Sequence, residues 1–138
     1  GDWSSDVCSS DLKTSKKGTA TVTAVKSKKA TVKVAATVKV KGVTYKVTAI
    51  GANAFKNCKK VKKISVGKNV KTIGKNAFKG CKKLKTITLA NKKVTIKKGA
   101  FAGLNTKKIT VKAPKMSKKE LKKFKKALKK AGFKGKVK

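Results

Sequence analysis

Arginine and histidine are absent from these 138 residues. All 41 basic residues are lysine, and against them stand only four acids, Asp2, Asp6, Asp11 and Glu120, leaving a formal net charge of +37. The missing arginine narrows the partners. Arginine supplies the planar fork that reads guanine and grips phosphate at two points, whereas lysine is a strongly hydrated point charge. A sequence-specific nucleic-acid reader is therefore disfavoured. The missing histidine and the scarcity of acids and cysteines remove most catalysis, because neither a metal site nor a nucleophile with a conventional base can be assembled. A lysine base beside a serine stays formally open, but nothing pairs a particular serine with a particular buried lysine. The glycines follow no phosphate-loop pattern. The expectation is a protein that is not an enzyme, with no catalytic residues, cofactor or metal.

Long apolar runs are also lacking. None approaches the roughly 18 residues of a membrane span, and no signal peptide opens the chain, so membrane insertion is not expected. The only methionine is Met116. A chain without an initiating Met reads as a fragment or a processed piece, and missing targeting signals then say little about compartment. Charge this high normally argues for disorder, yet Val, Ile, Leu and Phe together number 32, just above the roughly 20% at which chains stay unfolded. Their spacing must decide.

Residues Gly1–Leu12 (GDWSSDVCSSDL) hold no lysine, three of the four acids and the only Trp. The change at Lys13 is abrupt. The stretch resembles one reading frame of a common sequencing adapter, an assembly scar expected to be disordered and excluded from fold reasoning; the alternative is a natural polar N-terminus.

Three segments align at a constant offset of 23 residues: Ile50-Gly-Ala-Asn-Ala-Phe55-Lys-Asn-Cys58, Ile73-Gly-Lys-Asn-Ala-Phe78-Lys-Gly-Cys81 and Ile96-Lys-Lys-Gly-Ala-Phe101-Ala-Gly-Leu104. A fixed period of this size marks stacked coils, each covering its neighbour's apolar face. A strand-like stretch follows each: Val61-x-x-Ile64-x-Val66, Leu84-x-x-Ile87-x-Leu89 and a shortened Ile109-x-Val111. Alternation turns these apolar residues inward and the intervening hydroxyls outward, and stacking makes a parallel sheet. The expected outer columns are Ser65, Thr88, Thr110 and, beside them, Lys63, Thr86, Lys108. Phe55, Phe78 and Phe101 should form a buried ladder. Asn57, Gly80 and Gly103 share one position, and Asn and Gly share a tolerance for positive φ, so a left-handed turn residue is expected there. Cys58 and Cys81 occupy an inward position that Leu104 also fills, which favours packing as free thiols over a disulfide.

This pattern resembles the BspA-type leucine-rich repeats of bacterial surface and secreted proteins, strongly over residues 50 to 111 and, with the flanks, over most of residues 19 to 138. The third repeat departs from it at Lys97 and Leu104. The resemblance implies a mainly β repeat solenoid at a cell surface or secreted, of a kind that includes adhesins for extracellular-matrix proteins.

A three-coil stack needs both ends covered. Upstream, Thr19–Val25, Ala30–Ala36 and Val38–Val47 alternate with period two, broken at Ser27-Lys28-Lys29 and Gly42, which suggests an antiparallel β cap. Downstream, Ser117-Lys-Lys-Glu120 is a capping box, and Met116 and Leu121 are placed as a hydrophobic staple. Leu121, Phe124, Leu128 and Ala131 share one helical face, and Gly132-Phe133 fits a Schellman end. A helical lid is expected from about Lys118 to Ala131; its lysine-rich face would also suit a membrane-surface helix. The expected organisation is residues 1–12 as artefact, 13–49 as N-terminal cap, 50–111 as three repeats and 112–138 as C-terminal cap.

The signature residues are all core or turn, so binding must use what lies between them. The candidate face is Lys62, Lys63, Ser65, Lys85, Thr86, Thr88, Lys107, Lys108 and Thr110. Lysines in register repel, and a polyanion along the face relieves that repulsion. The expected partner is an anionic cell-wall or host-surface polymer or an extracellular protein, bound by a monomer. Alternatives are a solvated surface without a ligand, a non-specific nucleic-acid binder, and a passive tether for an enzyme domain. The nucleic-acid reading also lacks exposed aromatics for stacking.

Overall fold

The computed structural model describes residues 10–25, 30–40, 42–56 and 58–138. The expected break at Ser27-Lys28-Lys29, the turn residue Asn57 and residues 1–9, including Cys8, lie outside these.

Eleven strands among the described residues form two sheets. β1 (Ser10–Thr14), β2 (Thr19–Val25), β5 (Val43–Ile50), β7 (Thr72–Ile73) and β9 (Thr95–Ile96) lie side by side in that order, with β4 (Thr37–Val40) also paired to β5. The second sheet runs β11 (Lys136–Val137), β10 (Thr110–Lys112), β8 (Thr86–Leu89), β6 (Lys63–Val66) and β3 (Thr31–Val34). Each repeat contributes one strand to each sheet. The expectation of a single parallel sheet thus missed half of the framework: Ile50 and Ile73, taken as the start of the signature, end strands of the first sheet. A two-residue Thr-Ile strand flanked by turn residues, as in β7 and β9, carries too little alternation to register as a strand.

Upstream of the repeats, β1 pairs antiparallel with β2 and β4 with β5. But β2 lies parallel to β5, and β3 parallel to β6. Residues 19–25 and 31–34 therefore join the stack in the repeats' own direction, correcting a purely antiparallel cap. Period-two alternation sets which face is buried and carries no strand direction. Val25 even donates its N–H to Ala54 O, as Phe55 does to Ala77 and Phe78 to Ala100. Ser10–Leu12, assigned to the disordered artefact, lie in β1, because backbone pairing with β2 makes no demand on side-chain identity.

The two sheets enclose one apolar core. Phe55 and Phe78 stack with ring centroids 5.3 Å apart, and Phe78 and Phe101 at 5.4 Å. Phe133 closes the ladder, tilted against Phe101 at 5.0 Å. The sequence suggested only its place after the helix.

Helix α1 (Lys118–Lys130) begins at the expected capping box, in which Ser117 Oγ accepts from Glu120 N–H and Glu120 Oε1 from Ser117 N–H. It ends in the Schellman pattern: Phe133 N–H donates to Leu128 O and Gly132 N–H to Lys129 O, with Gly132 at φ +92°. Phe124 and Leu128 are buried. The helix spends its apolar face on the repeats, which removes what a membrane-surface helix would insert. Among the described residues no helix is long and apolar enough to cross a membrane.

Left-handed residues occupy a repeat position that was not expected, as well as Gly103, which was. Asn53 (φ +59°), Asn76 (φ +56°) and Gly99 (φ +78°) hold one repeat position, two before each phenylalanine. Of the expected set, Gly103 is left-handed at φ +77°, but Gly80 is not. Gly80 is needed for space, since a Cβ there would collide with the Lys56 carbonyl of the previous coil. The Asn, Asn, Gly series at positions 53, 76 and 99 carries the same signal that pointed to positions 57, 80 and 103.

Cys58 and Cys81 are both buried. The Cys58 thiol donates to Val25 O at 3.1 Å and that of Cys81 to Phe55 O at 3.4 Å. Burial, reinforced by the neighbouring Cys58, pushes the Cys81 thiol from 9.0 up to about 12. A thiol-specific reagent at pH 8, applied to a Cys8→Ser variant, should label neither cysteine in the folded protein and both in guanidinium, because burial denies access to both and keeps the Cys81 thiol protonated. Rapid labelling of the folded protein would contradict this packing.

Candidate functional site

Inward residues of the second sheet, Ile64 and Val66, Ile87 and Leu89, then Val111, are buried. Alternation therefore turns Lys63 and Ser65, Thr86 and Thr88, then Thr110 outward, exposed or half-buried. Pairing fixes their order. Thr31, Lys63, Thr86, Thr110 and Lys136 form one column, and Lys33, Ser65, Thr88 and Lys112 the next.

This differs from the expected columns in the third repeat. Thr110 stands beside Thr86, not Thr88, and Lys108 is in no strand but ends the 3-10 turn Thr106–Lys108. That turn adds one residue, so the step from Thr86 to Thr110 exceeds that from Lys63 to Thr86 by one. The missing signal was Ala113. It is buried, so Val111-Lys112-Ala113 is the counterpart of Ile87-Thr88-Leu89, and the strand that looked shortened is displaced. Lys33 and Lys112, absent from the expected set, belong to the face.

Lysines crowd where the chain enters each strand. Lys59, Lys60 and Lys62 precede β6, Lys82, Lys83 and Lys85 precede β8, and Lys107 and Lys108 precede β10, all exposed. Lys85 N–H donates to Lys62 O at 2.8 Å, and Thr110 N–H to Lys85 O at 2.8 Å. Lys62 and Lys85 are thus neighbours on adjacent coils, roughly 4.8 Å apart at the backbone. Buried Ile109 follows at the next place, so Lys107 and Lys108 flank this file rather than extend it. The result is a basic ridge along one margin of the sheet and a mixed hydroxyl and lysine surface beside it. Glu120 is the only acid whose side chain the structure describes, and it belongs to α1. At this backbone spacing adjacent coils lie within the roughly 8 Å screening length at physiological salt, so lysines on neighbouring coils are close enough for their charges to act together.

Chemically the surface offers N–H donors, hydroxyls and positive charge. Among the described residues no three Asp, Glu, Cys or His side chains cluster as metal ligands would.

Two stacked sheets repeated coil by coil, with a ladder of phenylalanines between them, define a leucine-rich-repeat solenoid. The model of the BspA-type leucine-rich repeat region matches residues 45–138 in six copies, and the chain belongs to that family. Among solved structures it is similar to a leucine-rich cell surface protein of Faecalibacterium prausnitzii, with 24% identity, TM-score 0.61, and coverage of 78% of this chain and 36% of that one. A leucine-rich repeat protein of Bacteroides ovatus is similar at 24% identity and TM-score 0.57, covering 75% of this chain and 36% of the other. For one of Bacteroides capillosus the values are 23%, 0.51, 75% and 67%. These likenesses concern the fold, and the chain spans about a third of the length of the first of them. No curated protein matches.

Proposed function

We propose that this chain is a non-catalytic binding module, secreted or held at a cell surface, that attaches to anionic polymer through the lysine ridge and hydroxyl face of its second sheet. The observation that carries this reading is the arrangement of Lys62, Lys63 and Lys85 across adjacent coils, exposed and accompanied by Ser65, Thr86 and Thr88. A linear polyanion laid across β6 and β8 meets Lys62 and Lys63 on one coil and Lys85 on the next, and relieves the repulsion among them. Lysine suits such a partner because a rotating point charge follows a flexible chain without demanding a fixed fork. Membership of the family, and the cell-surface description of the Faecalibacterium protein, support the location.

Retention of the chain on immobilised teichoic acid, heparin-like polysaccharide and duplex DNA, each across a salt series, tests this reading. Binding to the first or second should fall with salt, and the Lys62→Gln/Lys63→Gln/Lys85→Gln variant should elute at clearly lower salt than the parent. Preference for DNA, or an unchanged elution point for the variant, would overturn it.

A further inference from the structure

Five lysines line a cleft of about 430 Å³ between α1 and the last strand, and one of them, Lys136, also continues the outer column of Lys63, Thr86 and Thr110. Lys125 and Lys129 are one helical turn apart and therefore share a face of α1. Lys134, Lys136 and Lys138 alternate along and beside β11, which sends their side chains to one side. Phe133, Gly135 and Val137 complete the lining, which holds no Asp or Glu side chain; the α-carboxylate of Lys138 is the one negative group beside it.

The segment that carries three of these lysines is pinned. Lys134 N–H donates to the buried Thr106 Oγ1 at 3.0 Å, Lys136 N–H to Ile109 O at 3.1 Å and Lys138 N–H to Val111 O at 2.8 Å. A Cβ at Gly135 would collide with the Thr106 and Ile109 carbonyls. Only glycine lets the chain press this closely against the 3-10 turn. The backbone beneath the ammonium groups is thus fixed, while their stems are free to turn toward a ligand.

We propose that this cleft is a binding site for a compact multivalent oxyanion, a short run of linked phosphates. Five lysines against one terminal carboxylate leave more positive charge around the concavity than a single carboxylate or sulfate neutralises, and the space is larger than one such group. Adjacent phosphates present charge and acceptor oxygens in several directions at once, which matches ammonium donors approaching from a helix on one side and a strand on the other. The site is separate from the ridge preceding β6 and β8, and the inference stands without the polymer reading.

The probe is tripolyphosphate, titrated calorimetrically into the whole chain at physiological salt, with orthophosphate for comparison. Tripolyphosphate should bind the parent clearly more tightly. Lys134→Gln/Lys136→Gln should weaken it about tenfold or more, the scale of losing charge-assisted hydrogen bonds. A distant pair with the same loss of charge, Lys16→Gln/Lys17→Gln in the exposed β1–β2 turn, should weaken it by about twofold at most, since screening confines charge effects to roughly 8 Å. Equal losses in the two variants, or no preference over orthophosphate, would overturn the assignment. Amide NMR shifts of the parent provide a readout that needs no variant: saturable changes are expected at residues 125–138, and changes spread over lysines everywhere would refute a discrete site.

Discussion

Phe78→Ala should destabilise the fold by about 3–5 kcal/mol, the range for emptying a buried aromatic position. Its ring has a stacked neighbour on each side, Phe55 at 5.3 Å and Phe101 at 5.4 Å, and is wholly shielded from water. The cavity would open in the middle of the stack, where neither coil can collapse into it, because both are held at fixed spacing by the sheets. The Phe78 backbone N–H bonds Ala100 O, and the Phe55 N–H bonds Ala77 O, so the ladder and the backbone bonds between coils would loosen together. Domains of this size are stable by about 5–15 kcal/mol in total, so the variant should stand near the edge of folding. Urea denaturation followed by circular dichroism measures the loss, and a change below about 1 kcal/mol would mean that the ladder is not the core.

Gly80→Ala should cost about 3 kcal/mol, the upper end of the range for forcing extra volume into a packed interior. The added methyl would meet the Lys56 carbonyl, which is backbone and can yield only if two coils move apart. Gly103→Ala is the informative comparison. Its left-handed φ of +77° makes alanine strained, but the nearest atom is 3.7 Å away, so strain alone is incurred, about 1–2 kcal/mol. The order Gly80 above Gly103 in the same denaturation experiment separates close approach from backbone conformation. The reverse order would return Gly80 to the left-handed role suggested by its alignment with Gly103.

Much of this architecture was legible in the residues because apolar spacing records what must be buried. The ladder, the strands that begin near Lys63 and Thr86, the capping box at Ser117 and Glu120, and the Schellman end at Gly132 all follow from local rules. What was not legible depends on which strand meets which. The direction of β2 and β3 is set by the edge that the first repeat offers them, and alternation is indifferent to direction. The third strand was misaligned because Ala113 is too small to announce itself as core, although it fills the place of Leu89. β11 was missed for a similar reason: Lys136-Val137 has one apolar residue, and its strand geometry comes from the exposed edge of β10. The residues expected to point outward do so in β6 and β8, while the columns are shifted at β10, and the lysine cleft, built from two elements that meet only in space, had no signature at all.

The bonds that join one coil to the next are themselves repeated. Gly51 N–H bonds Val22 O, Gly74 N–H bonds Ile50 O, and Lys97 N–H bonds Ile73 O; likewise Lys62 N–H bonds Ala30 O and Lys85 N–H bonds Lys62 O. Each coil offers its successor the surface that it received from its predecessor. A junction of that kind does not record how many units precede it, so a duplicated unit between the first and second repeats would find its partners already in place on both sides. Unequal recombination within such a gene would lengthen the protein in whole steps and carry along the lysines that precede each inner strand. Reach and charge would then grow in proportion, with no new interface to evolve.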